Sequence, residues 1–175
     1  MPMRYTATAR VLQWLTALLV LAIAVLGVWM TQFEPADMAF KLRLYALHEN
    51  LGFTVLVLTL ARLGWRARHP VPPLPPGMPP VLEWAAWTTH GALYGLLLIQ
   101  PVVGLLASNA WGFPVVWWGL VPLPSPVGED AALAPVLSAL HLRLALALGA
   151  LVAMHAGAAM WHQFVRRDGL LKRMI

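Results

Sequence analysis

Residues 138–164 read SALHLRLALALGALVAMHAGAAMWHQF, a stretch apolar and long enough for a membrane helix that nonetheless carries His141, His155 and His162. His141 and His155 are 14 residues apart. At 3.6 residues per turn that is close to four full turns, so both rings leave the same face, about 21 Å apart along the axis. In a hydrocarbon layer roughly 30 Å thick, one imidazole then lies near each edge. His162, seven residues further on, falls close to that face but in or beyond the headgroups. Ionisable groups inside a membrane are costly and as a rule face a partner or a cofactor. The plainer alternative is a pair of buried, hydrogen-bonded histidines.

The rest of the 175-residue chain agrees with a membrane setting: 60% of residues are hydrophobic, 11% are charged, and the mean hydropathy is +0.71. With no cysteine there is no disulfide, thiolate haem, Cys-ligated zinc or iron–sulfur site, so a metal must be held by histidine, carboxylate, methionine or tyrosine. The net charge of +5 does not mark a nucleic-acid binder, because the basic residues flank apolar runs and cluster at the C-terminus.

Four stretches are long enough to span, at about 11–32, 44–65, 84–107 and 138–164. The first lacks a convincing small-x-small cleavage site near Gln32 and is read as retained. An even number of spans predicts an all-α, antiparallel up-down four-helix bundle forming one membrane domain. Nine of the twelve basic residues (Arg4, Arg10, Arg62, Arg66, Arg68, Arg166, Arg167, Lys172 and Arg173) fall on the side of the termini. The positive-inside rule therefore predicts both termini in the cytoplasm. The proline-rich segment 69–80 is a stiff linker on that side, since its seven prolines can continue neither helix.

A long loop, about 108–137, lies on the periplasmic side. Its Trp111, Trp117 and Trp118 most simply form an interfacial belt, with Trp14, Trp65, Trp84, Trp87 and Trp161 as the cytoplasmic counterpart. A lid over a cofactor is the sharper alternative. Pro101 should kink the third span.

Depth pairs the histidines. His48, in LYALHENLGF, and His141 both lie near the start of spans that run inward, so they are level near the periplasmic face and can meet across a planar ligand. His155 needs a partner on span one or three, which offer Gln13, in RVLQWLTALL, and His90, in WTTHGALYGL. A catalytic zinc site asks for a third protein ligand, and calcium or magnesium asks for oxygen donors that these spans scarcely supply. Haem asks for axial donors on opposite sides of an apolar slot, and imidazole is a standard one.

At these residues the chain resembles the bacterial cytochrome b561 family, four-helix di-haem b proteins of the inner membrane. The likeness runs through RVLQWLTALL, LHENLGFTVLVLTLARLGWR, the proline linker, THGALYGLLLIQPVVGLL, and MHAGAAMWHQFVRRDGLLKRM. The resemblance implies that His48 and His141 hold a periplasmic haem b and that His155 holds a cytoplasmic one. Gln13 stands where family members carry the second cytoplasmic histidine. Three outcomes follow: the inner haem is absent, it is five-coordinate on His155 or weakly held by the Gln13 amide, or His90 substitutes.

The resemblance further implies electron exchange between a periplasmic donor, superoxide among the candidates, and membrane quinone such as ubiquinone. Lys41, Arg43 and Arg143 near His48 and His141 could form a local anion funnel. The same side carries Glu34, Asp37, Glu49, Glu129 and Asp130, so there is no global positive field. His90, Tyr94 and Gln100 are polar groups that could serve a quinone carbonyl or simply bond between helices. The rival to an oxidoreductase is a haem-bearing anchor subunit for a separate dehydrogenase or hydrogenase.

Overall fold

Four apolar runs fold into four long helices in a computed structural model that describes residues 4–33, 37–74 and 77–175. They are α1 (Ala7–Gln32), α2 (Met38–Arg68), α3 (Pro80–Ala110) and α4 (Leu133–Trp161), each long and apolar enough to cross a membrane. Between α3 and α4 stands a two-stranded antiparallel hairpin, β1 (Val116–Trp117) and β2 (Val121–Pro122). Glu34 and prolines 75 and 76 lie outside the described residues.

Local chemistry sets the helix ends. Thr6 caps α1 by accepting the Ala9 N–H at 3.3 Å, and Asp37 caps α2 through the Ala39 N–H at 2.9 Å. Pro80 opens α3 at a position where its missing N–H costs nothing, with Glu83 in the first turn favoured by the helix dipole. Asp130 accepts the N–H groups of Ala132 and Leu133 at 2.9 and 3.0 Å, which starts α4. The helices accordingly reach beyond the apolar cores of the spans. The connection between α3 and α4 is residues 111–132, shorter than the loop 108–137 expected from hydropathy, and Pro80 belongs to α3 and not to the linker. α3 stays helical through Pro101.

α4 stops at Trp161 and widens into a π-helical turn, His162–Arg166, which closes on Arg167 in the left-handed region at φ 55°. The C-terminal segment then crosses the end of the bundle. Tyr5 N–H donates to the Arg173 carbonyl at 3.1 Å, Trp14 Nε1 to the Met174 carbonyl at 2.8 Å, and the Arg10 guanidinium to the Ile175 carbonyl. Both termini therefore share one end, here the terminal end; the hairpin marks the other, the loop end.

Each helix packs chiefly on its neighbours in sequence, and among the described residues α1 and α4 have little direct contact. The middle of the bundle is filled by Val55, Leu97 and Leu148, with Leu19, Val20, Ile23, Leu93, Leu96 and Val152 against them. A second cluster, Leu26, Met30 and Leu44 with Leu51, joins α1 to α2 at the loop end. Large apolar side chains such as Val25, Leu146 and Leu60 are exposed on the outside, as a lipid-facing surface requires.

Candidate functional site

Two histidine pairs lie in the bundle, one on either side of the central apolar layer. At the loop end, His48 of α2 faces His141 of α4 with ring centroids 6.1 Å apart and planes at 73°. At the terminal end, His90 of α3 meets His155 of α4 at 5.1 Å and 74°. His141, Leu148 and His155 repeat every seven residues, so the stripe of α4 that supplies the core also presents both imidazoles inward.

The loop-end pair depends on two glycines. A Cβ at Gly27 of α1 would lie 3.2 Å from His48 Cε1, and one at Gly104 of α3 would lie 2.9 Å from His141 Cε1. Each ring therefore rests on a neighbouring helix that lacks a side chain at that point. Gln100 of α3 donates through Nε2 to the His141 carbonyl at 3.0 Å, and the same nitrogen lies 3.3 Å from His141 Nε2. The Nδ1 atoms of His48 and His141 are buried without a hydrogen-bond partner among the described residues.

This donor set fits haem. Two imidazoles on opposite sides of one metal place their centroids about 6 Å apart, given metal–nitrogen bonds of about 2 Å. Among the described residues no three His, Asp or Glu side chains gather as they would around a bare ion. A pair of opposed imidazoles instead suits a planar group that brings its own equatorial donors. Imidazole nitrogens buried without a partner are also costly unless something engages them.

The hairpin packs onto α2 at the same end of the bundle. Trp117 and Trp118 both donate their indole N–H to Thr54 Oγ1 at 3.2 Å, and the Trp118 backbone N–H donates to Asn50 Oδ1 at 2.5 Å. Phe53 packs edge-on against Trp117 at 5.3 Å. Asn50 and Thr54 follow His48 by two and six residues, about 200° and 240° around α2, so the hairpin packs on the side of α2 away from the His48 ring, with Trp118 still exposed. Trp111 remains exposed, bonded to Ser138. Next to His48, Glu49 accepts from Ser108 Oγ at 2.6 Å.

The other expected residues distribute as follows. Gln13 is half-buried on α1, while the ring meeting His155 is that of His90. Arg43 and Arg143 are exposed and Lys41 is half-buried near the loop end. Tyr94 Oη is buried without a partner among the described residues, the Arg62 guanidinium sits 5.1 Å from its ring centroid, and both line a cleft at the terminal end with Trp65 and His69. His162 is buried and hydrogen-bonds Asp168. Gly27, Gly104 and Asn50 were not singled out by sequence. Counting depth from the helix ends would have set the two glycines level with His48 and His141, but not facing them.

A family model for prokaryotic cytochrome b561 matches residues 4–175. The chain is 32% identical over 174 residues to cytochrome b561 homolog 2 of Escherichia coli (strain K12), covering 99% of this chain and 92% of that protein. It is 29% identical over 172 residues to the probable superoxide oxidase CybB of Yersinia pestis, covering 98% and 96%. It is 33% identical over 179 residues to cytochrome b562 of Cereibacter sphaeroides, covering 98% and 94%. Four membrane-length helices with opposed imidazoles between them and a match over nearly the whole chain lead to one conclusion: this multi-pass protein of the bacterial inner membrane belongs to the prokaryotic cytochrome b561 family, whose members bind haem b.

Proposed function

We propose that this chain is a membrane b-type cytochrome that passes electrons between a donor at the loop end and membrane quinone, with His48 and His141 as the residues that would hold a haem b. The observation that carries the reading is the opposed pair itself, 6.1 Å apart on two helices that run in the same direction. A haem b held by His48 and His141 would supply one-electron transfer at this end of the bundle. Gly27 and Gly104 let the two rings approach from α2 and α4, and Gln100 fixes the α4 backbone at His141.

Superoxide is the donor we favour. A relative 29% identical to this chain is named a probable superoxide oxidase, and Lys41, Arg43 and Arg143 stand at the loop end to draw an anion. The basic bias of the terminal end supports placing it in the cytoplasm and the loop end in the periplasm. For the quinone we favour the cleft holding Arg62 and Tyr94, because the Tyr94 hydroxyl is a buried donor with no other partner among the described residues. Gln100 is less suited to that role, being engaged with His141.

The test is haem content and visible absorbance of the full-length protein purified with His48→Ala or His141→Ala. Each substitution should remove one haem's low-spin absorbance. Spectra and content equal to the wild type would overturn the ligand assignment.

A further inference from the structure

The geometry points to a second bis-imidazole haem site at the terminal end, with His90 of α3 and His155 of α4 as its two ligands. This inference rests on the haem reading of the loop-end pair and extends it to residues on a different pair of helices.

The two pairs are built alike. Their interplanar angles are 73° and 74°, and both use the inward stripe of α4. On α3, His90 shares a face with Leu93 and Leu97; on α4, His155 shares one with Val152 and Leu148. All four of these apolar residues belong to the central cluster, so both imidazoles point into the bundle.

His90 is also prepared for a metal. Its Nδ1 lies 2.7 Å from the Ala86 carbonyl, which can only accept, so the proton is on Nδ1 and Nε2 carries the lone pair. Metal-ligating histidines are commonly held in this way, with the far ring nitrogen donating to a backbone carbonyl. Gln13, the alternative on α1, offers only a weakly donating amide oxygen. The ring separation of 5.1 Å is about 1 Å less than that for two imidazoles sharing a metal, so the rings must part by that much to take one between them.

The experiment is a pyridine haemochrome assay with spin-state and carbon monoxide difference spectra on the full-length protein in detergent. The wild type should hold two haems and leave reduced iron closed to carbon monoxide. His90→Ala should either lose one haem or open that haem to carbon monoxide, with added imidazole closing it again, while Gln13→Leu changes neither. The loop-end haem absorbance reports in the same samples that the bundle is folded. His90→Met, which keeps the volume and a weaker donor, should raise the reduction potential of one haem only.

One haem per chain in the wild type, carbon monoxide bound by half of the wild-type haem, an open site created by Gln13→Leu, or His90 variants with unaltered spectra would each overturn the assignment. Failure of the underlying haem reading is separable, because it would show as His48→Ala and His141→Ala leaving haem content unchanged.

Discussion

Gly104 lies directly against the imidazole of His141: a Cβ placed there would stand 2.9 Å from Cε1 and 3.2 Å from Nδ1. The equivalent contact between Gly27 and His48 is looser, at 3.2 and 3.6 Å. Real Cβ atoms do not come within 3.0 Å of a neighbour, so alanine at 104 must push the His141 ring or part α3 from α4. Overpacking of this kind costs about 1–3 kcal/mol. Gly104→Ala should therefore lower loop-end haem occupancy and thermal stability more than Gly27→Ala does. Equal effects, read by haem content and Tm, would mean that the rings are not held by these glycines.

Gln100 ties α3 to the backbone of α4 at His141, donating to its carbonyl at 3.0 Å. A net hydrogen bond of this kind contributes about 0.5–1.5 kcal/mol. Gln100→Leu should keep the volume and the haem but free the His141 ring to tilt. The expected signature is a changed low-spin electron paramagnetic resonance signal of the loop-end haem, with the other haem signal unaltered. An unchanged signal would reduce Gln100 to an interhelical tie.

At the terminal end, His162 Nδ1 donates to Asp168 Oδ2 at 2.5 Å, and Arg166 Nε is 3.8 Å from the same oxygen. Loss of hydration pushes the Asp168 carboxyl up. The hydrogen bonds from His162 and the Leu170 N–H, with the positive charges of His162 and Arg166, outweigh this and hold it below its ordinary 3.8. A depressed carboxyl stabilises the fold above the ordinary aspartate range, and that contribution is lost as pH falls through the folded value. Asp168→Asn should thus lower Tm at neutral pH, with the difference from wild type shrinking to nothing in strong acid. A difference independent of pH would show that charge at Asp168 does not brace the C-terminal segment.

The division between what was legible in the sequence and what was not follows from the physics. Four helices were legible because apolar runs of this length have no other stable arrangement in lipid, and the depth of His48, His90, His141 and His155 follows from counting residues. Facing is another matter. Whether His155 meets Gln13 or His90 depends on how α4 is rotated against α1 and α3, and that is set by packing of Leu93, Leu97, Leu148 and Val152 together. The placement of Trp117 and Trp118 was hidden for a different reason. It turns on Trp118 adopting φ 51°, a left-handed conformation that a bulky residue rarely takes and that hydrogen bonds to Asn50 and Thr54 maintain.

Those same bonds hold the hairpin against α2. Asn50→Ala with Thr54→Val deletes the acceptors for the Trp118 N–H and both indoles. The double variant should show red-shifted tryptophan emission with reduction of the loop-end haem by dithionite unaltered, because Asn50 and Thr54 lie about 200° and 240° around α2 from His48. Faster reduction in the variant would show that the hairpin shields the haem edge.

The basic residues of the loop end do not stand equally near the pair, which sharpens the test for an anionic donor. Arg143 follows His141 by two residues, about 200° around a helix, so it leaves α4 on the side away from the ring. Arg43 precedes His48 by five residues, or about 140°, and Lys41 by seven, which brings Lys41 back to the His48 face of α2. Lys41 is half-buried, whereas both arginines are exposed. Exposed charges are screened over about 8 Å at physiological ionic strength, so a steering charge acts only if it lies close to the route of approach. Lys41→Gln should therefore slow haem reduction by superoxide most and flatten its salt dependence, Arg43→Gln less, and Arg143→Gln least. Stopped-flow rates across a salt series decide it. Equal slowing by all three would indicate a diffuse field, and no slowing by any would point to a protein or quinol donor in place of superoxide.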